Sequence, residues 1–137
     1  MRVVQCSAFG PLDGLTIEQV PAPPIAAGSV RIEVTAAGVN YVDGLIAQGL
    51  YQIKPPVPFV LGNEIAGRVS EVGDGVSGFA VGDRVFANLG FGGYASEAVV
   101  DARRVLHTPD QLTDGQAATF TQSYSTAWFA LHRRAHA

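Results

Sequence analysis

Few residues of this 137-residue chain have the type and spacing that chemistry demands. Gly73, Gly75 and Gly78 spell the GxGxxG spacing by which a glycine turn and a helix N-terminus cradle a dinucleotide pyrophosphate. That chemistry needs a helix directly afterwards. Phe79 to Val85 instead hold a second turn at Gly82 and then a β-branched run, so the segment is expected to be a glycine turn between strands. His132 and His136 stand one helical turn apart and make a two-ligand clip without a third partner; with Arg133 and Arg134 they suit the negative end of a helix better. Cys6 is the only cysteine, which rules out an intrachain disulfide or a site built from several thiolates of this chain. Nothing near it in sequence would lower its pKa, so an inert packed thiol is expected. Glu64, between Asn63 and Ile65 in an apolar stretch, is expected to be a buried carboxylate bonded to backbone. His107 belongs to no motif.

Such residues must be positioned by a fold, and composition narrows its class. The chain is 47% apolar and 15% charged, with the charges spread along it, which fits one compact domain over residues 1–137 and not a disordered segment. With 16 Gly and 8 Pro the backbone is punctuated more often than a helical bundle tolerates, so short strands joined by tight turns are predicted. A formal charge of −3 offers no electrostatic footing for nucleic acid, and the pairs Arg103-Arg104 and Arg133-Arg134 are too short to reverse it. No apolar run approaches the roughly 18 residues of a membrane span. Met1 to Cys6 lacks the apolar region of a signal peptide, so a soluble, cytoplasmic protein with no membrane partner is expected.

Along the chain, Arg2 to Cys6 and Leu15 to Val20 flank a Gly/Pro loop and read as paired strands. Val30, Ile32, Val34 and Ala36 alternate with Arg31, Glu33 and Thr35, which predicts a strand ending at Gly38. Asn40 to Gln48 is predicted as a short helix with Asn40 as N-cap, Asp43 in its first turn and Gly49 as its end. Pro55, Pro56 and Pro58 make an extended linker to Phe59. Further strands are predicted over Ile65 to Val72, Arg84 to Ala87 and Tyr94 to Val100. Thr113 and Gln116 fit a capping box, and Gln116 to Phe120 and Thr126 to Arg134 are helix-compatible.

The blocks Gly38-Val39-Asn40-Tyr41-Val42-Asp43, Leu61-Gly62-Asn63-Glu64-Ile65-Ala66-Gly67, Val81-Gly82-Asp83-Arg84-Val85, Gly92-Gly93-Tyr94-Ala95 and Tyr124-Ser125-Thr126-Ala127-Trp128 resemble, in order and spacing, the GroES-like domain of medium-chain dehydrogenases/reductases. The resemblance covers nearly the whole chain. It implies a mainly β, partly open barrel with short helices, ending in a helix that leads toward a Rossmann domain absent from this chain. In the alcohol dehydrogenases of that family, a Cys of the first block and a His of the second hold catalytic zinc. The matching positions here are Asn40 and Asn63, and neither amide is a usual zinc ligand. The four-cysteine lobe of a structural zinc is also missing, since Asn88 runs directly on to Gly90-Phe91-Gly92-Gly93. The chain is therefore similar to the zinc-independent, zeta-crystallin-like quinone oxidoreductase branch, with enoyl reductases as near relatives.

That branch implies hydride transfer from NADPH to an electron-poor acceptor, a quinone or enone. Without a Lewis acid, hydrogen-bond donors must polarise the acceptor oxygen, and placement against the nicotinamide must supply the remaining acceleration. The resemblance assigns Asn40 and Tyr51 to catalysis, Tyr51 as a wall of the acceptor pocket, and Asn40 and Thr126 to the cofactor; no metal is assigned. Plain structural roles are open for the same residues: Asn40 as a cap, Tyr51 as packing, Thr126 bonded back to its own helix. Relatives often carry a second pocket tyrosine where this chain has Leu45, which puts acceptor preference in question. The whole protein implied is a homodimer that holds NADPH mainly through the absent domain, and the isolated chain is expected to be inactive. Two other readings stand: a stand-alone GroES-like binding or scaffold module, and an enoyl reductase of the same family.

Overall fold

Alternation along one strand organises the molecule. A computed structural model describes residues 1–135, and in it the apolar residues Val30 and Ile32 of Ser29–Gly38 turn fully inward while Glu33 and Thr35 face out. Numbering strands in chain order, these are β1 (Arg2–Cys6), β2 (Thr16–Gln19), β3 (Ser29–Gly38), β4 (Phe59–Val60), β5 (Glu64–Val72), β6 (Arg84–Asn88), β7 (Glu97–Asp101) and β8 (Val105–His107). A five-stranded antiparallel sheet runs β7-β3-β5-β6-β8, and a three-stranded one runs β2-β1-β4. The mainly β, open-sheet architecture expected from the sequence is therefore present. Helix α1 (Tyr41–Ala47) follows β3, and α2 (Asp114–Ala118) and α3 (Phe120–Phe129) follow the last strand, with a π-helical turn over Ala130–Arg134.

Val30, Ile32, Ile65, Val69 and Val85 form the principal core of the larger sheet, each at most 1% exposed. Each such side chain contributes about 1.5–3 kcal/mol by leaving water. A second cluster, Cys6, Ile46, Ala47, Phe59 and Leu61, joins α1 to the smaller sheet, with Tyr51 and Tyr94 packed against it. Cys6 is 1% exposed, and burial pushes its thiol pKa up, as expected of an inert packed residue. Arg31 pairs with Glu71 at 2.9 Å and Glu97 at 3.3 Å, tying β5 and β7 across β3.

Between Val34 and Ala36 the β3–β5 register slips, and the bulged Thr35 aims its hydroxyl at Asp114 Oδ2, 2.7 Å away. Arg84 Nη2 donates to Asp114 Oδ1 at 2.7 Å, so a carboxylate of α2 is clamped from two strands. This sets α2 on the sheet, where Ala117 and Ala118 cover Ala66 and Phe86. Beside the bulge, where β5 pairs with β3, Gly67 is required, because a Cβ there would lie 2.0 Å from the Glu33 carbonyl oxygen.

The glycines 73, 75 and 78 lie in the turn between β5 and β6, and a strand follows them, as expected. Two expectations change. The strand predicted over Tyr94 to Val100 is divided: Tyr94, Ala95 and Ser96 bond first to β1 through Val4 N–H to Tyr94 O (2.8 Å), a bridge between Ala95 and Val3, and Ser96 N–H to Arg2 O (2.8 Å), while Ser96 O accepts from Val34 N–H of β3 (3.1 Å) and from Glu97 the chain pairs with β3 as β7. The chain thus crosses from one sheet to the other where a single strand was expected. The two predicted helical pieces are continuous through Gln122, with Thr119 as the only break between α2 and α3. The Thr113–Gln116 capping box is formed. The His132–His136 pairing lies outside the described residues, because His136 is not among them.

Candidate active site

Asn40 leaves β3 and becomes the N-cap of α1, where it shares a capping box with Asp43, whose Oδ2 accepts from the Asn40 backbone N–H at 2.8 Å. Its side-chain nitrogen serves a different partner: Nδ2 donates to Glu64 Oε1 at 3.1 Å. The capping role weighed for this residue is present, and it leaves the side-chain nitrogen free for Glu64. An amide nitrogen carries two hydrogens, so one remains after the bond to Glu64. Glu64 opens β5 and is 1% exposed. Its Oε2 accepts from the Gln122 backbone N–H at 2.9 Å in the first turn of α3. The backbone-bonded carboxylate expected from sequence is present, and it also links the N-cap of α1 to the terminal helix.

Asp43 is 3% exposed, and besides the Asn40 N–H its Oδ2 accepts from the Tyr94 hydroxyl at 2.9 Å, while Oδ1 has no partner. Burial first, then the Asp43 carboxylate, push the Tyr94 phenol well above the usual tyrosine range. Sequence reasoning assigned Tyr94 no role beyond its place in a motif. The available signal was its position directly after Gly92-Gly93, next to a glycine-bearing partner block. Gly62 (φ +99°) lets the ring sit close, since a Cβ there would lie 2.3 Å from Tyr94 Cδ1.

Two cavities of about 380 Å³ each flank this network. Asn40 lines the first with Leu12, Leu15, Leu45 and Tyr94. Tyr51 lines the second with Phe91, Asn63, Asn88, Gln122 and Arg104. In that second cavity the Nδ2 atoms of Asn63 and Asn88 both donate to Gln122 Oε1, at 2.9 and 3.4 Å. Thr126 lies exposed on α3, one turn beyond Gln122, and lines neither cavity. The structure thus brings Tyr51 together with Asn63, connects Asn40 to the same region through Glu64 and Gln122, and leaves Thr126 on the outer helix surface. Among the described residues, no group of three or more His, Cys, Asp or Glu side chains could hold a metal ion. Tyr124, Trp128, Phe129 and Leu131 of the terminal helix are at least half exposed.

Residues 26–110 match the alcohol dehydrogenase GroES-like domain. Over 124 residues the chain is 48% identical to polyketide synthase GfsB of Streptomyces halstedii, a match covering 89% of this chain and 2% of that protein. It is 40% identical over 121 residues to quinone oxidoreductase-like protein 2 of Bos taurus, covering 88% and 35%. Among solved structures, Escherichia coli quinone oxidoreductase complexed with NADPH is similar with a TM-score of 0.90 at 30% identity, covering 98% of this chain and 41% of that one. CurK enoyl reductase is similar with a TM-score of 0.86 at 30% identity, covering 96% and 42%. The chain spans only about a third of its quinone oxidoreductase-like relative and a small fraction of the synthase. With the open barrel, the Asn40–Glu64 link and these matches together, the chain belongs to the alcohol dehydrogenase GroES-like domain family, among quinone oxidoreductase-like members of the medium-chain dehydrogenases/reductases.

Proposed function

We propose that this barrel is the acceptor-side domain of an NADPH-dependent oxidoreductase that reduces a quinone or activated alkene without zinc. The observation that carries the reading is the Asn40 Nδ2 to Glu64 Oε1 bond: an amide donor, held by a buried carboxylate, stands where zinc-dependent relatives present a thiolate. Asn63, at the position of the expected imidazole, likewise has its Nδ2 bonded, to Gln122. Neither amide is a good zinc ligand, and both are engaged in the protein's own network.

Glu64 fixes the Asn40 carboxamide, and the remaining Nδ2 hydrogen is the donor that would stabilise charge developing on an acceptor oxygen. Tyr51 supplies an aromatic wall and a hydroxyl to the adjoining cavity, which Asn40 does not itself line and to which it is joined through Glu64 and Gln122. The nicotinamide supplies the hydride when bound, with Asn40 and the exposed Thr126 hydroxyl as the groups of this chain that suit its carboxamide. The Gly73–Gly78 turn does not suit the phosphates, because a strand and not a helix follows it. The nucleotide portion is therefore assigned to polypeptide outside these residues, a reading supported by their covering 41% of the NADPH-bound Escherichia coli enzyme. A cytoplasmic homodimer acting on a small molecule completes the proposal; no described helix is long and apolar enough to cross a membrane.

The 48% identity to a polyketide synthase and the likeness to an enoyl reductase favour a second reading, in which the same donors polarise an enoyl thioester. The test uses the natural polypeptide that carries this segment, captured with an antibody to it, and follows NADPH oxidation with a quinone and with an enoyl thioester. Quinone-dependent turnover that falls about 10²-fold in Asn40→Ala is expected, with none from the isolated chain. Robust turnover by the isolated chain, or an unchanged rate in Asn40→Ala, overturns the proposal; preference for the thioester selects the second reading.

A further inference from the structure

We infer that the cavity beside Tyr51 takes a planar carbonyl acceptor bearing an anionic substituent, with Gln122 donating to its carbonyl oxygen and Arg104 facing the anion; this rests on the reading of the barrel as an acceptor domain. The cavity is built in two parts. Tyr51 and Phe91 give it aromatic walls, and its volume of about 380 Å³ suits a ligand of one or two fused rings. Its polar side consists of the carboxamides of Asn63, Asn88 and Gln122 together with Arg104, and no carboxylate lines it.

The amide cluster has a defined polarity. Gln122 Oε1 accepts from both asparagines, which fixes the oxygen end, and Gln122 Nε2 makes no hydrogen bond among the described residues. A free amide donor facing aromatic walls selects an acceptor atom, and a carbonyl conjugated to a flat ring fits both the donor and those walls. Arg104 adds charge. Its neighbour Arg103 is paired with Asp101, whereas Arg104 makes no ion pair among the described residues. Asp101 acts on Arg104 only at a distance, without a direct ion pair, and a guanidinium so placed at the cavity edge favours a ligand with negative charge at that end.

The test titrates the isotope-labelled natural polypeptide that carries this segment with 1,4-naphthoquinone-2-sulfonate, 1,4-naphthoquinone and naphthalene-2-sulfonate while following side-chain amide resonances. Adduct formation at Cys6 does not compete, because Cys6 is buried with a raised pKa. The sulfonated quinone should move the Gln122 Nε2 signals and bind roughly three- to fivefold more tightly than the neutral quinone, the scale of one partly exposed ion pair. Arg104→Ala should erase that preference, so that the sulfonated and neutral quinones bind alike. Gln122→Glu keeps an oxygen for Asn63 and Asn88 but removes the donor, and should abolish binding of the neutral quinone while the chain stays folded. Naphthalene-2-sulfonate, which has the anion but no carbonyl, should leave Gln122 unmoved. If the neutral quinone binds at Gln122 as tightly as the sulfonate, the inference fails while the acceptor reading stands. If neither quinone perturbs Tyr51 or Gln122, both fail.

Discussion

Tyr94→Phe removes one oxygen atom and leaves the ring in place against Gly62, so its effect reports the hydroxyl's hydrogen bonds, the shorter to Asp43 Oδ2 at 2.9 Å and the longer to the Gly38 carbonyl at 3.3 Å. Asp43 is 3% exposed and its Oδ1 already lacks a partner, so the variant leaves a buried carboxylate with the Asn40 N–H as its one side-chain-oxygen contact. A hydrogen bond to a charged group contributes about 1.5–3 kcal/mol, and a loss of about 2 kcal/mol is expected. With an unfolding entropy of ~2.1 cal/mol/K per residue, the 137 residues give ~0.29 kcal/mol/K and hence a fall of ~7 °C in Tm. Calorimetry and urea unfolding of both proteins measure it. The pH dependence is a second readout. The folded phenol titrates above its unfolded value of about 10, so its contribution is fully present below that pH and is lost as pH rises through the folded value. Tyr94→Phe lacks this loss, and the gap between the two proteins should close on the alkaline side. A double-mutant cycle with Asp43→Asn should show a coupling of about 1 kcal/mol or more. A Tm within about 1 °C of the parent, or strictly additive variants, would refute the reasoning.

Gly62→Ala places a Cβ 2.3 Å from Tyr94 Cδ1 at φ +99°, and a cost of about 3–5 kcal/mol is expected from backbone strain plus overpacking. An unchanged urea midpoint would show that the ring and backbone can separate freely. For Asp114, the hydrogen bond from Arg84 first and Thr35 second hold the carboxyl below its ordinary range. That stability is present above the unfolded pKa of about 4 and lost as pH falls through the folded value. Asp114→Asn should therefore cost about 1 kcal/mol at neutral pH and progressively less in acid, and a deficit equal at every pH would contradict the Arg84 clamp.

The sequence alone determined whatever local backbone physics decides. The period-two run from Val30 to Ala36 becomes β3, since successive side chains of a strand must face opposite sides. Asn40, Asp43 and Gly49 bound α1, the last with φ 69°, because cap chemistry and left-handed backbone depend on a residue and its near neighbours. The same logic dismissed the GxGxxG spacing, whose meaning hangs on the seven residues after it. Matching positions pointed to Asn40, Asn63 and Tyr51, but not to what they touch. That Asn40 and Tyr51 line separate cavities, that Glu64 joins Asn40 to a backbone amide 58 residues onward, and that Tyr94 closes on Asp43 across 51 residues were decided by tertiary packing. The three-residue β8 and the crossing of Tyr94 to Ser96 between sheets belong there too, for neither has a pattern of its own and each exists through the strand it meets. Periodicity is written into neighbouring residues, whereas a contact between distant side chains is set only when every strand between them has found its register.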